Sequence, residues 1–291
     1  MKRSPFVRTR RLAAISLGLL VALPLAGCTG SADGAEDQTF VETPFKASNF
    51  PDPLAGSNKW LPLEVGTQWV REGTTLIGNR TVPASDVVTV TDVVREINGV
   101  KTVLVFDHSV AAGQVVQQSL DYMAQDSAGN VWYLGSATEQ YEAGRYVAVD
   151  EAWLAGVEGA KAGILMPADL RMDTPAWSIA QPPESAGDGA EVVKVEKKCV
   201  PYGCFENVMV IREGKKTALD NEFKYYASGV GQILNEPRSA ARHDDFDELI
   251  NVTRLTAEGL EEASREALQI DSNAAREFPE VYGTVTASRV P

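Results

Sequence analysis

Ten short apolar and β-branched runs, many of them joined by hairpin-type turns, constrain this chain more than any other feature. They occupy 68–77, 86–97, 101–110, 115–124, 131–135, 145–153, 191–199, 205–212, 222–227 and 248–255. Between them stand Gly78-Asn79, Asn98-Gly99, Ala111-Ala112-Gly113, Ala128-Gly129-Asn130, Ala143-Gly144, Glu213-Gly214-Lys215 and Ser228-Gly229. Glycine and asparagine accept the positive φ of a tight hairpin, so successive runs can fold back on one another. No strand–helix–strand rhythm is visible, which argues against a parallel sheet. The pattern predicts a mainly β chain: an antiparallel meander that makes a curved sheet or partly open barrel. One amphipathic helix is expected after it, over 256–270, capped by Thr256 with Leu260, Ala263, Ala267 and Ile270 on one face.

The long stretch 154–189 interrupts the meander. Its glycines, Gly156, Gly159 and Gly163, lack the Gly-Lys-Ser/Thr ending of a phosphate loop. Its apolar centre, Ile164-Leu165-Met166-Pro167, suits a plug that completes the core better than a lid over one end of the sheet.

The N-terminus gives an address. Lys2, Arg3, Arg8, Arg10 and Arg11 precede an apolar run over 12–25, the layout of a secretory signal. That run is shorter than the roughly 20 residues a membrane-spanning helix needs. It ends in Leu25-Ala26-Gly27-Cys28, which resembles the lipobox of bacterial lipoproteins. The resemblance implies cleavage before Cys28, diacylation of its thiol and a place on the extracytoplasmic face of the cell membrane. Residues 1–27 are then the signal peptide. Residues 28–58, rich in Gly, Ser, Ala, Asp, Thr and Pro, form a lipidated N-terminus and flexible tether. The β domain spans 59–255, and 256–291 form the helix and tail.

Five of the 27 basic residues lie in the signal, so the net charge moves from −13 to −18 once it is removed. A surface so negative disfavours nucleic acid and anionic headgroups. The expected partners are the membrane, through the Cys28 lipid, and a cell-envelope component or apolar small molecule.

Two further cysteines stand in Cys199-Val200-Pro201-Tyr202-Gly203-Cys204. In an exported chain this spacing favours a local disulfide across a turn that Pro201 and Gly203 promote. A redox pair more often has two intervening residues, and a zinc site needs two further ligands.

The most distinctive segment is 122–135, in which Asp126 can bond the turn backbone while Gly129 and Asn130 tolerate positive φ. Its Asp-x-x-Gly-Asn-Val-Trp-Tyr hairpin is similar to that of β-propeller blades, but it occurs once, and a propeller repeats it every 40 to 50 residues or so. With Trp153, the 156–167 glycine loop and Lys224-Tyr225-Tyr226-Ala227-Ser228-Gly229-Val230-Gly231, it resembles a group of uncharacterised bacterial exported proteins over about residues 58–255. That group carries no activity to transfer.

Trp69, Trp132, Tyr133, Trp153 and Tyr225 are the candidate ligand-facing aromatics, able either to line one concave face for an apolar ligand or to fill the core. Catalytic constellations are thin: there is no Gly-x-Ser-x-Gly elbow, and the two histidines, His108 and His243, have no metal-ligand spacing. His243, Asp244, Asp245 and Asp247 form the best metal-like cluster, yet lack the alternating oxygens and central glycine of a calcium loop. The expectation is no cofactor and a lipid-anchored module that binds or supports without catalysis. A carrier of an apolar ligand comes second, and a hydrolytic or metal-dependent enzyme third.

Overall fold

A computed structural model describes residues 39–51, 58–183, 188–214, 222–237 and 246–290. Its strands are β1 (Thr67–Ile77), β2 (Arg80–Ile97), β3 (Val100–Ala111), β4 (Gln114–Gln125), β5 (Val131–Glu142), β6 (Arg145–Leu154), β7 (Gly163–Met166), β8 (Trp177–Ala180), β9 (Asp188–Val200), β10 (Gly203–Glu213), β11 (Glu222–Ala227), β12 (Gly231–Pro237), β13 (Phe246–Arg254) and β14 (Ser288–Arg289). Helix α1 (Ala257–Glu277) and the single turn α2 (Pro279–Tyr282) follow β13. The fourteen strands form one open antiparallel sheet in the order β6-β5-β4-β3-β2-β1-β13-β12-β11-β10-β9-β8, with β7 on β5 and β14 on β2.

The meander follows from its turns. At Asn98-Gly99, Ala112-Gly113 and Ala143-Gly144 both central residues have positive φ, between 49° and 77°. This is the left-handed two-residue hairpin that matches strand twist. Some elements outrun their sequence signal. The run at 131–135 continues to Glu142 because Ser136, Thr138 and Gln140 keep the alternation with polar side chains. Helix α1 continues to Glu277 because Ala274 extends the buried stripe of Ala263, Ala267 and Ile270. Its Thr256 cap accepts a hydrogen bond from the Gly259 amide at 3.2 Å.

The 154–189 stretch contains two short strands and serves as a plug. Ile164, Met166, Leu170, Trp177 and Ile179 are all buried. Strand β7 lies so close to β8 that a Cβ on Gly163 would sit 2.0 Å from the Ile179 carbonyl oxygen. Lys161 and Gln181 exchange backbone hydrogen bonds of 2.8 and 3.0 Å beside this contact. Strand β8, at one end of the open sheet, therefore meets β7, the short strand on β5, at a seam.

Residues 39–51, expected within the tether, lie along that seam. Val41 makes a parallel bridge to Trp177, with its amide on Ala176 O at 2.9 Å and its carbonyl accepting from Ser178 N at 3.0 Å. Phe45 and Phe50 pack edge-on to Trp132, at 5.7 and 5.8 Å between centroids. Three well-spaced phenylalanines, counting Phe40 against Gly189, are enough to fasten a polar segment with no periodicity.

Candidate functional site

Residues opposed across an antiparallel ladder share a face, so the register decides which polar side chains meet. On one face Arg71, Asp86, Ser109, Gln117 and Gln140 align across β1 to β5. The next rung holds Val88, Asp107, Ser119, Thr138 and Glu151, and the one beyond it Val90, Val105, Asp121, Ser136 and Trp153. The face thus grades from charged to apolar along the strands.

Arg71 is the centre of the charged end. Its Nη2 donates to Asp86 Oδ2 at 2.8 Å, and its Nε lies 3.1 Å from Asp247 Oδ1 on β13. Ser109 Oγ donates to Asp86 Oδ1 at 2.6 Å and to Asp107 Oδ1 at 3.3 Å. Arg71, Asp86 and Asp247 are each below 9% exposed, so all three charges are largely out of water. Burial opposes the guanidinium charge, but the attraction of Asp247, Asp86 and Asp107 outweighs it and raises the Arg71 pKa. A guanidinium fixed in this state holds no exchangeable base. Further along, Tyr133 donates to Asp121 Oδ1 at 2.7 Å. Burial first, then Asp121, pushes the phenol well above its ordinary value and keeps it neutral.

The opposite face carries α1. Arg95 Nη1 donates to both oxygens of Asp271, at 3.0 and 2.8 Å, and Nη2 to the Tyr282 carbonyl at 2.8 Å. Tyr122 donates to Asp271 Oδ1 at 2.9 Å and meets the Tyr282 hydroxyl at 3.0 Å. Arg95 is 1% exposed and Asp271 4%. A second network runs from His108 Nδ1 to Gln118 at 2.8 Å, through Tyr141 to Glu139, and on to Asn273 of α1 at 2.7 Å. Burial lowers the His108 pKa, which keeps the ring neutral and able to accept the Gln118 amide proton.

Of the residues singled out in the sequence, Cys28, His243, Asp244 and Asp245 lie outside the described residues. Asp247, the remaining member of the metal-like cluster, is engaged by Arg71. Among the described residues no group of three or more His, Cys, Asp or Glu side chains is arranged to hold a metal ion. Cys199 and Cys204 form a disulfide across the β9–β10 hairpin. Of the aromatic set, Trp69, Trp132, Trp153 and Tyr225 are buried and Tyr133 is half-buried. Trp132 and Trp153 are 2% exposed, Trp69 donates to Val230 O at 2.7 Å, and Trp153 meets Tyr133 edge-on at 5.3 Å. Tyr225 donates to Glu236 at 2.6 Å beneath the Lys198 ammonium. Trp132 Nε1 donates to Asp126 Oδ2 at 2.8 Å, and Asp126 Oδ1 accepts from the Ala128 and Asn130 amides. Asp126 is therefore the internal brace of the distinctive hairpin.

Sequence reasoning missed Arg71, Asp86, Arg95 and Asp271. The available signal was charge at positions whose period-two or helical neighbours are apolar: Arg71 in phase with Trp69, Asp271 beside Ile270 and one turn past Ala267. Two clefts, of about 270 and 260 Å³, open beside Phe50 and beside Phe45, and neither is lined by the aromatic set.

No family model matches the chain, and a search of curated proteins finds no match. Two solved structures are similar to it. One, described as an exported protein with YmcC-like fold from Bacteroides fragilis, is 9% identical, with a TM-score of 0.32 over 68% of this chain and 100% of that one. The other, described as a lipoprotein from Parabacteroides distasonis, is 12% identical, with a TM-score of 0.34 over 66% of this chain and 97% of that one. At these values neither likeness assigns a family or a role.

Proposed function

We propose that this is a lipid-anchored extracytoplasmic protein, held at the cell membrane through Cys28, which acts as a non-catalytic structural or binding module of the cell envelope. The observation that carries this reading is that the charges inside the sheet are engaged with one another. Arg71 is committed to Asp86 and Asp247, and Arg95 to Asp271, Tyr122 and Tyr282. Groups tied to one another in this way fix strands and helix in place and are poorly placed to bind or transform a substrate. The buried aromatic rings favour the same reading over a carrier of apolar ligands, because they are already in contact with one another and with backbone. The anchor explains how a strongly acidic body stays at a membrane without a spanning helix; among the described residues no helix is long and apolar enough to cross one.

Two experiments test the proposal. Labelling with radioactive palmitate should mark the wild type and not Cys28→Ala, and equal labelling of both overturns the anchor. Native mass spectrometry of the mature protein from its own host should give the apo mass. A bound lipid or metal there overturns the non-carrier reading.

A further inference from the structure

The segment 39–50 has the build of a removable part. We infer that it is a strap that releases from the seam as a unit, leaving the rest of the sheet folded and the outer edge of β8 uncovered. Contacts at three places fasten it. Val41 completes the β8 edge through two backbone hydrogen bonds, as an added strand does. Phe40 lies over Gly189, where a Cβ would come to 2.2 Å from its ring. Phe45 and Phe50 sit on Trp132, and the Asn49 carbonyl accepts from the Ser127 amide at 2.8 Å.

Between these points the strap is loosely seated. Thr39, Val41, Glu42, Thr43, Pro44, Lys46, Ser48 and Asn49 are exposed, and the cleft of about 260 Å³ runs beneath Glu42 to Phe45 against Asn98 and Lys161. The ion pair that crosses it, Glu42 to Lys161, is 3.8 Å long and solvent-exposed, so it adds little. Few buried apolar contacts and exposed backbone hydrogen bonds mark the low-stability end of a fold. The sheet it closes is held by other means, the Lys161–Gln181 backbone pair and the Gly163–Ile179 approach. If the proposed anchoring holds, any pull on Cys28 reaches this strap before it reaches the sheet.

The test uses the chain from residue 28 onward with Cys28→Ser. It carries no lipid, so its outcome is independent of palmitate labelling. Native-state hydrogen exchange should show the Val41 and Ser178 amides opening at least about a hundredfold faster than those of β2 to β4, and independently of low urea concentrations. Equal protection in both sets overturns the strap as a separate unit. Deleting 39–50 should speed exchange of 176–181 about tenfold or more while leaving β2 to β4 protected. Unchanged exchange at 176–181, or loss of protection everywhere, overturns the inference. A synthetic peptide of residues 39–50, fluorescently labelled, should bind the deleted chain and restore protection at Ser178 but should not bind the intact chain. Failure to bind the deleted chain counts against an open β8 edge.

Discussion

Strand β6, at one end of the sheet, has a helix and two bulges at its free edge, whereas β8, at the other, has the strap and, beside it, the close approach of β7. The β6 ladder skips Val147 and Asp150, which twist the edge out of register for pairing. Glu277 of α1 accepts the Val149 amide at 3.1 Å and the Tyr146 hydroxyl. Burial, then Glu277, raises the Tyr146 pKa to about 12. Behind this edge, α1 is fixed by a buried ion pair, while β8, four residues long, relies on a thin segment that is mostly exposed. A ten-residue edge exposes more unpaired backbone than a four-residue one and calls for a deeper cover. The difference teaches that the same hazard can be met at very different depths of stability.

The steepest break should come at the helix end. Asp271→Ala leaves Arg95 buried without its partner and should lower unfolding free energy by about 3–5 kcal/mol in urea titration, whereas Arg95→Met combined with Asp271→Leu should recover most of that loss. A loss below about 1 kcal/mol for the single change would remove the contrast between the two ends. At the seam, Gly163→Val should cost up to about 3 kcal/mol by thermal unfolding, because the new side chain drives β7 from the Ile179 carbonyl. Cys204→Ser opens the β9–β10 tip in the half of the sheet away from the helix. It should cost about 2 kcal/mol, read as a lower urea midpoint than wild type under non-reducing conditions.

The smallest effect concerns the C-terminal strand. Burial works to raise the Asp92 pKa, but hydrogen bonds from Arg289 and Ser264 outweigh it and hold the carboxyl below its ordinary value. A depressed carboxylate contributes stability above its unfolded pKa and loses it as pH falls through the folded one. Acidifying from pH 7 to pH 3 should therefore lower the Tm of wild type slightly more than that of Asp92→Asn. An identical pH response in the two proteins would show that the Arg289 contact is spent on solvent.

What the sequence made legible was local. Hairpin turns such as Asn98-Gly99 and the Thr256 cap act within a few residues, and the strands and helix they bound stop or start at them, although β2 and α1 run further at their other ends than expected. The Cys199–Cys204 pair, five residues apart, belongs to the same class. The strap was read as tether because Phe40, Phe45 and Phe50 follow neither period in a polar setting, and their sites on Gly189 and Trp132 are far along the chain. Strands β7 and β8 are too short to show alternation. Asp86 could be placed in a strand but not given Arg71, and Arg95 could not be given Asp271, since such pairs are set by register and helix docking.

The middle of the sheet is where the chain's beginning meets its end: β1 lies between β2 and β13, with Trp69 opposite both Val88 and Val252. The β1–β2 hairpin can close as soon as both strands exist, but the other side of β1 waits for a strand near the far terminus. A loop that long is slow to close, and its entropy must be overcome before the contacts reward it. During synthesis from the N-terminus, β1 therefore remains an uncovered edge until β13 has emerged. In that order the joint at the centre of the finished sheet forms after the hairpins on either side of it, and only the docking of α1, α2 and β14 follows.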